Sequence, residues 1–309
     1  MHTPTVHILL ATFNGARFLK EQLDSIAAQS HVNWTLTVSD DGSTDDTLPV
    51  VDRFSKGILQ PVRVIQGPGL GLTHNFFHLL RQVIPSDSQD LFAFCDQDDV
   101  WHASKLDRAI DWHLSQGQRM PYLYCSKTQY VNELLGPLGE SPGLHRPACF
   151  SNALVQNIAS GNTMVINLMA LEGMVQIKPE HSVWHDWTAY LVVTAMGGMV
   201  GFDNRPSLLY RQHNANVIGS NQGLYAQLRR IIPIWQGRYK YWMDTNLEAL
   251  RDVEKLLSDE AKQCIADLER MRAASGIGER IRFFRRSNIR RQSAISNFSL
   301  LAALVAKKI

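Results

Sequence analysis

The sequence predicts an α/β protein: a mostly parallel sheet sandwiched by helices, with a helical extension at its C-terminal end. Apolar runs of strand length alternate with helically spaced apolar residues through the first hundred positions. Three of the predicted strands end in polar loops, Thr12-Phe13-Asn14, Asp40-Asp41-Gly42-Ser43 and Asp96-Gln97-Asp98-Asp99. In sheets of this kind ligands bind beyond the carboxyl ends of the strands. The three loops therefore predict one shared rim.

Residues Val6–Thr12 read as the first strand, broken by Asn14-Gly15. From Ala16 to Gln29, apolar residues recur at Phe18, Leu19, Leu23, Ile26 and Ala27, which is helical spacing. Trp34–Ser39 is the second strand. Its polar tail leads into Asp45-Asp46, where Ser43 or Thr44 is expected to cap a helix. Val62–Gln66 is the third strand, Gly67–Gly71 a loop, Asn75–Val83 a helix and Leu91–Cys95 the fourth strand. Tyr122–Ser126 and Met164–Asn167 read as further strands, and Gly136–Pro147 as a loop. A helix-like apolar stretch follows Trp184-His185-Asp186-Trp187, and from about residue 223 the chain reads as wholly helical. The expected organisation is an α/β domain over 1–220, with halves at about 1–100 and 101–220, then a basic helical region over 221–309.

The 309 residues, 45% hydrophobic and 19% charged, are ample for a large α/β domain with an appendage and exclude disorder of the whole. The net charge of +2 is unevenly spread: residues 220–309 carry 17 basic and 9 acidic side chains, against 14 and 20 in the remainder. A basic tail on an acidic body suggests an anionic surface as the tail's partner. Four scattered cysteines with no C-x-x-C pair argue against a zinc site or a disulfide framework. The N-terminus lacks a basic n-region, and the apolar stretch Ala189–Phe202 falls short of the ~20 residues that cross a bilayer. A cytosolic protein is expected.

The segment Cys95-Asp96-Gln97-Asp98-Asp99-Val100-Trp101 packs three carboxylates into four positions after an apolar run. Burying such like charges is costly unless something positive sits between them. A divalent cation held by oxygen ligands answers this, and an acidic surface turn is the plainer alternative. No phosphate-cradling glycine motif of either common kind is present. The phosphates of a nucleotide ligand would then be neutralised by metal.

Taken together, the motifs ATFNG (11–15), SDDGSTDDT (39–47), DQDDVW (96–101), WHDW (184–187) and YRQHNANVIG (210–219) resemble those of the family 2 glycosyltransferases of the GT-A fold. The likeness is strongest to bacterial members that build O-antigen, capsule and other rhamnose-containing polysaccharides, and it covers about residues 5–220. The resemblance implies that Thr12 and Asn14 line the nucleotide pocket, with Asn75 in the donor site, and that Asp41, with Asp40 beside it, hydrogen-bonds a pyrimidine base. It implies that Asp96, Asp98 and Asp99 form the D-x-D-type motif, touching the ribose and binding Mg²⁺ or Mn²⁺ on the donor diphosphate. His213 would complete the metal or diphosphate site, and Asp186 would be the general base. Many members carry Ala-Arg-Asn where this chain has Thr73-His74-Asn75.

The implied reaction moves a sugar, L-rhamnose from dTDP-rhamnose or a hexose from a UDP-sugar, to a hydroxyl of a glycan or an undecaprenyl-diphosphate-linked oligosaccharide. The leaving diphosphate gains charge that a cation can stabilise, and the acceptor hydroxyl must lose a proton to a nearby carboxylate. Attack from the face opposite the leaving group inverts the anomeric centre. Trp184 and Trp187 flank Asp186; they suit an acceptor platform or, equally, a core. Asp40 and Asp41 also suit a capping turn, and Asp186 a helix cap.

Two tail segments, Leu224–Trp242 and Glu279–Ile309, interleave arginines with aromatic and aliphatic residues. Helices of that composition lie well on the anionic inner face of a plasma membrane, and packing on the catalytic domain is the alternative. Rival functions are a nucleotidylyltransferase and a non-catalytic glycan-binding protein. The first normally has a glycine-rich basic loop where this chain reads Ala11-Thr12-Phe13-Asn14-Gly15. Nucleic-acid binding is not expected, since the tail has no recognisable motif for it.

Overall fold

The structure, a computed structural model, describes residues 4–117, 119–213 and 238–309. Its centre is a seven-stranded sheet of β1 (Val6–Thr12), β2 (Trp34–Asp40), β3 (Val62–Gln66), β4 (Leu91–Cys95), β6 (Tyr122–Ser126), β9 (Val165–Asn167) and β10 (Met199–Asp203). The spatial order is β10-β6-β9-β4-β1-β2-β3. β9 runs antiparallel to both β4 and β6, while the other pairings are parallel. A smaller sheet has the order β5-β11-β7-β8, from β5 (Val100–Trp101), β7 (Gln129–Val131), β8 (Pro137–Glu140) and β11 (Leu208–Arg211).

β1 explains why the sheet reads as continuous apolar runs. All seven of its residues are buried. Leu9 and Ala11 join the core on one face, and Val6, Ile8 and Leu10 join the core on the other. A strand covered on both sides has no solvent face to keep polar. α1 (Ala16–Ala27) closes one face with Leu19, Leu23 and Ile26, and α3 (Leu72–Gln82) closes the other with Phe76, Phe77, Leu79 and Leu80. α2 (Thr47–Lys56) and α4 (Lys105–Ser115) lie with α1, whereas α5 (Phe150–Ala153), α6 (Leu168–Met174) and α7 (His185–Ala195) lie with α3.

α7 is apolar nearly all round and is buried through its length. The sheet lies on one side of it. The C-terminal helices cover the rest: α8 (Arg238–Asp252), α9 (Asp259–Ala273), α10 (Ile277–Arg286) and α11 (Ala294–Val305). Tyr239, Met243, Leu247, Leu268, Leu300 and Leu304 share one core with α7. Gly197, at φ +74°, and Gly198, where a Cβ would meet the Pro121 carbonyl at 2.4 Å, turn the chain from α7 into β10.

Several expectations need correction. Pro137–Glu140 was expected as loop and is strand β8, an exposed edge that pairs with β7 through its backbone. Neither Ser43 nor Thr44 caps α2; that helix begins at Thr47, whose N–H donates to Asp45 at 3.0 Å. The stretch Ala189–Phe202 is a helix and a strand. Among the described residues no helix is long and apolar enough to cross a membrane. The first basic segment lies outside the described residues up to position 237, as does the YRQHNANVIG motif beyond His213.

Candidate active site

Thr12 ends β1 opposite Asp40, the last residue of β2, so their two loops emerge side by side. The Thr12 hydroxyl donates to Asp40 at 3.0 Å, and the Asp41 N–H donates to the Thr12 carbonyl at 2.9 Å. Asp40 is buried and also accepts from the Gly42 and Ser43 N–H groups and the Ser43 hydroxyl. Its carboxylate is therefore used inside the loop, which corrects the expectation that it touches the base alongside Asp41. Thr12 is likewise buried and serves the same turn.

Asp41 is half-buried at the rim. Its two oxygens accept from the Gly69 and Gly71 N–H groups, each at 2.7 Å. Asn75, buried below, donates from Nδ2 to the Ser39 carbonyl at 2.9 Å, while its Oδ1 has no partner. Asn14 adopts φ 46° and accepts from the Thr44 N–H, joining the first two loops. The Gln97 amide clamps the third loop to the first, accepting from the Phe13 N–H at 2.9 Å and donating to the Phe13 carbonyl at 3.1 Å.

The acidic motif splits in three directions. Asp98 is partly exposed, and its Oδ2 lies 2.7 Å from Nε2 of His213. Asp99 is fully buried, accepts from the Asn162 amide and keeps one oxygen unpartnered. Asp96 keeps a buried, unpartnered oxygen too, and burial with the charges of Asp98 and Asp186 pushes its pKa up to about 8. The expected metal trio Asp98, Asp99 and His213 is thus divided: Asp98 and His213 meet, and Asp99 faces inward. Among the described residues no group of three or more His, Cys, Asp or Glu side chains is arranged to hold a metal ion. A carboxylate and an imidazole at one open spot still fit Mn²⁺ or Mg²⁺, which commonly take one or two protein ligands and complete their shell with substrate phosphates.

Asp186 lies in the first turn of α7, two residues past Trp184 at the N-cap position. Burial pushes its pKa up to about 6, against hydrogen bonds from the Trp187 N–H, the Asn157 side chain and the Gly161 N–H. A carboxyl so placed can accept a proton near neutrality. The Phe94 N–H donates to the Met164 carbonyl at 3.1 Å, and a Cβ at Gly161 would lie 3.3 Å from Cβ of Asp186, so the turn before β9 sets the start of α7 near the end of β4. The charge of Asp186 is among those that raise Asp96. Beside it, His185 stacks on Phe76 with ring centroids 3.8 Å apart. Neither of its nitrogens has a partner, and burial lowers its pKa to about 3, so it stays neutral.

The two tryptophans part company. Trp187 is buried and donates from Nε1 to the Ala153 carbonyl at 2.7 Å, which corrects its expected role as acceptor platform. Trp184 is partly exposed and stands against Trp242 at 5.3 Å between ring centroids. Sequence reasoning missed Arg211, Lys105 and Asn162. Arg211 is buried, stacks over Phe18, donates to the Asp98 carbonyl at 3.0 Å and pairs with Glu21. It holds the acidic loop from beneath. No signal marked it beyond its lying two residues before His213.

Comparison with known proteins bears on the family and the fold. Residues 7–125 match the family described as Glycosyl transferase family 2. The dTDP-rhamnosyl transferase RfbG of Shigella flexneri is 26% identical over 237 residues, covering 72% of this chain and 78% of that one. TarS 1–349 of S. aureus in complex with UDP-GlcNAc superposes with a TM-score of 0.55 at 16% identity, covering 99% of this chain and 88% of that one. The mannosyltransferase PcManGT of Pyrobaculum calidifontis, in complex with GDP-Man and Mn²⁺, gives a TM-score of 0.52 at 16% identity, covering 100% and 88%. The two solved structures have the GT-A fold expected here.

Proposed function

We propose that this chain, a member of glycosyltransferase family 2 through residues 7–125, transfers a sugar with inversion from a nucleoside-diphosphate donor to a hydroxyl of a bacterial surface polysaccharide. The observation that carries this is the contact of His213 with Asp98 at the loop after β4, with the turn before β9 placing Asp186 at the start of α7 near that loop.

In this reading Asp41, fixed by two glycine amides, accepts a hydrogen bond from a pyrimidine base, with Asn14 and Asn75 in the same pocket. Asp40 and Thr12 hold that loop in shape. Asp98 and His213 hold Mg²⁺ or Mn²⁺, which supplies charge neutralisation for the leaving diphosphate. Asp96 keeps one buried oxygen without a partner, which a ribose hydroxyl of the donor would satisfy. Asp99 supports the motif from within. Asp186 takes the proton of the acceptor hydroxyl, and Trp184 offers an apolar ring face to the acceptor sugar. The likeness to a dTDP-rhamnosyl transferase supports L-rhamnose as the sugar.

The C-terminal region packs one face on α7 and leaves another outward. Ile277, Ile295 and Phe298 are exposed there, together with Arg282, Arg285, Arg286 and Arg290. Apolar tips among arginines suit peripheral contact with an anionic membrane, where a lipid-linked acceptor would be reached.

Titration calorimetry with dTDP, UDP and GDP, each with and without Mn²⁺, tests the reading. Metal-dependent binding of a pyrimidine diphosphate is expected. Failure of all three to bind would remove the donor site.

A further inference from the structure

The turn Gly161–Thr163, leading into β9, is buried throughout and gripped from two sides. On one side Lys105 Nζ donates to the Asn162 carbonyl at 2.6 Å, and the Asn162 amide donates to Asp99. On the other side the Gly161 N–H reaches the Asp186 carboxylate. The same glycine makes room for His185: a Cβ at position 161 would lie 2.4 Å from Nε2 of that ring and 3.3 Å from Cβ of Asp186. Three residues therefore separate the acidic motif from the candidate base: Asp99 is bonded to them at one end, and Asp186 lies against them at the other.

Lys105 opens α4 and is fully buried, its ammonium 4.4 Å from the centroid of the Trp101 ring. A cation is unfavourable in the first turn of a helix and in an apolar interior. Burial lowers its pKa to about 7 although Asp99 and Asp96 pull the other way. A methionine would fill the same space without that penalty. What a methionine lacks is the donor to the turn and the cation that offsets the buried Asp96 and Asp99.

We propose that Lys105 is a positioning residue for glycosyl transfer, which, through the Asn162 carbonyl, fixes the turn 161–163 and with it the place of Asp186 opposite the acidic motif. The inference rests on the reading of Asp186 as the base. Lys105 itself touches neither donor nor acceptor. It acts through a backbone whose displacement by about 1 Å is enough to cost on the order of 10²-fold in rate.

Lys105→Met in the full chain tests it. Thermal stability is expected to fall, because the Asn162 carbonyl loses its donor and the buried Asp96 and Asp99 lose the nearby cation; kcat is therefore compared at a temperature where both proteins are folded. Turnover is followed as release of nucleoside diphosphate from dTDP-rhamnose, UDP-glucose or UDP-GlcNAc with Mn²⁺, using whichever the wild type consumes. The variant should lose about 10²-fold in kcat, with KM for the donor within about threefold. Amide exchange should quicken at 160–164 and 185–187 and stay unchanged in β1 and β2. Wild-type kcat, or unchanged exchange at 160–164, would overturn the proposal. Should Lys105→Met fail to fold, Lys105→Gln keeps a polar side chain in that space but falls one bond short of the Asn162 carbonyl, and wild-type kcat there would overturn it equally. If the wild type consumes none of the three donors, the glycosyltransfer reading fails, and the exchange experiment still decides whether Lys105 fixes the turn.

Discussion

Nε2 of His213 lies 2.7 Å from Oδ2 of Asp98, across 115 residues of chain. The contact brings the last strand of the small sheet to the acidic loop. Each side chain is expected to strengthen diphosphate binding only when a cation is present. Asp98→Asn and His213→Ala should each weaken binding of dTDP or UDP by about 10- to 100-fold in Mn²⁺. In EDTA the variants and the wild type should bind alike. Calorimetry in the two buffers checks it, and an equal loss in both would assign the pair a role without metal.

Asp186→Asn should lower turnover by about 10²- to 10⁴-fold, the usual contribution of a general base. Donor affinity should stay within about twofold, since the base serves the acceptor. Full turnover in this variant would remove Asp186 from the reaction.

The raised pKa of Asp186, about 6, sets two signs. Turnover should climb as pH rises through 6, where the base loses its proton, and the acid limb should vanish in Asp186→Asn. Stability runs the other way. A carboxyl whose folded pKa is raised favours folding while protonated, and that contribution is lost as pH rises from its ordinary 3.8 through about 6. Asp186→Asn should therefore be more stable than the wild type at pH 8, by on the order of 1–2 kcal/mol after allowance for partial exposure. Thermal melts at pH 5 and pH 8 measure the difference.

Trp187→Ala should destabilise the fold by about 3–5 kcal/mol, because a buried indole and its hydrogen bond are lost together. Trp184→Ala, at a partly exposed position, should cost far less and should raise KM for the acceptor. Denaturant melts and acceptor titrations separate the two.

The outward face of α10 and α11 should carry the protein onto vesicles containing anionic lipid. Replacing Phe298 by Ser, with Arg285 and Arg286 also changed to Ser, should abolish flotation at low salt. High salt should weaken flotation of the wild type as well. An absence of wild-type flotation at both salts would end the membrane reading.

β1 and β4 were legible to within a residue because they are buried along their whole length and their runs are nearly all apolar, whereas β2 and the largely exposed edge strand β3 were legible from their β-branched residues and the turns that bound them. The small sheet was not. β8 is exposed along its length, holds its place through backbone pairing and carries Pro137 and Gly139, so its pattern looks like a loop. The cap of α2 was misread because Ser43 is taken by Asp40. In the site, a cluster of carboxylates announced itself, and the resemblance assigned His213. Composition cannot say which of two adjacent aspartates turns inward, and that hid the difference between Asp98 and Asp99. Lys105 carried no signal, since a lysine at a helix start usually faces water.

β9 runs against its neighbours, so its leading end lies where β4 and β6 have their trailing ends. An ordinary loop on that rim can lengthen at small thermodynamic expense. Here one added residue between 160 and 164 would slip the strand's register and send Ile166, now in one core, toward the opposite layer. Variation in length among proteins built on this plan should gather outside that short stretch, with insertions finding room around Pro137–Pro147 and almost none at Gly161.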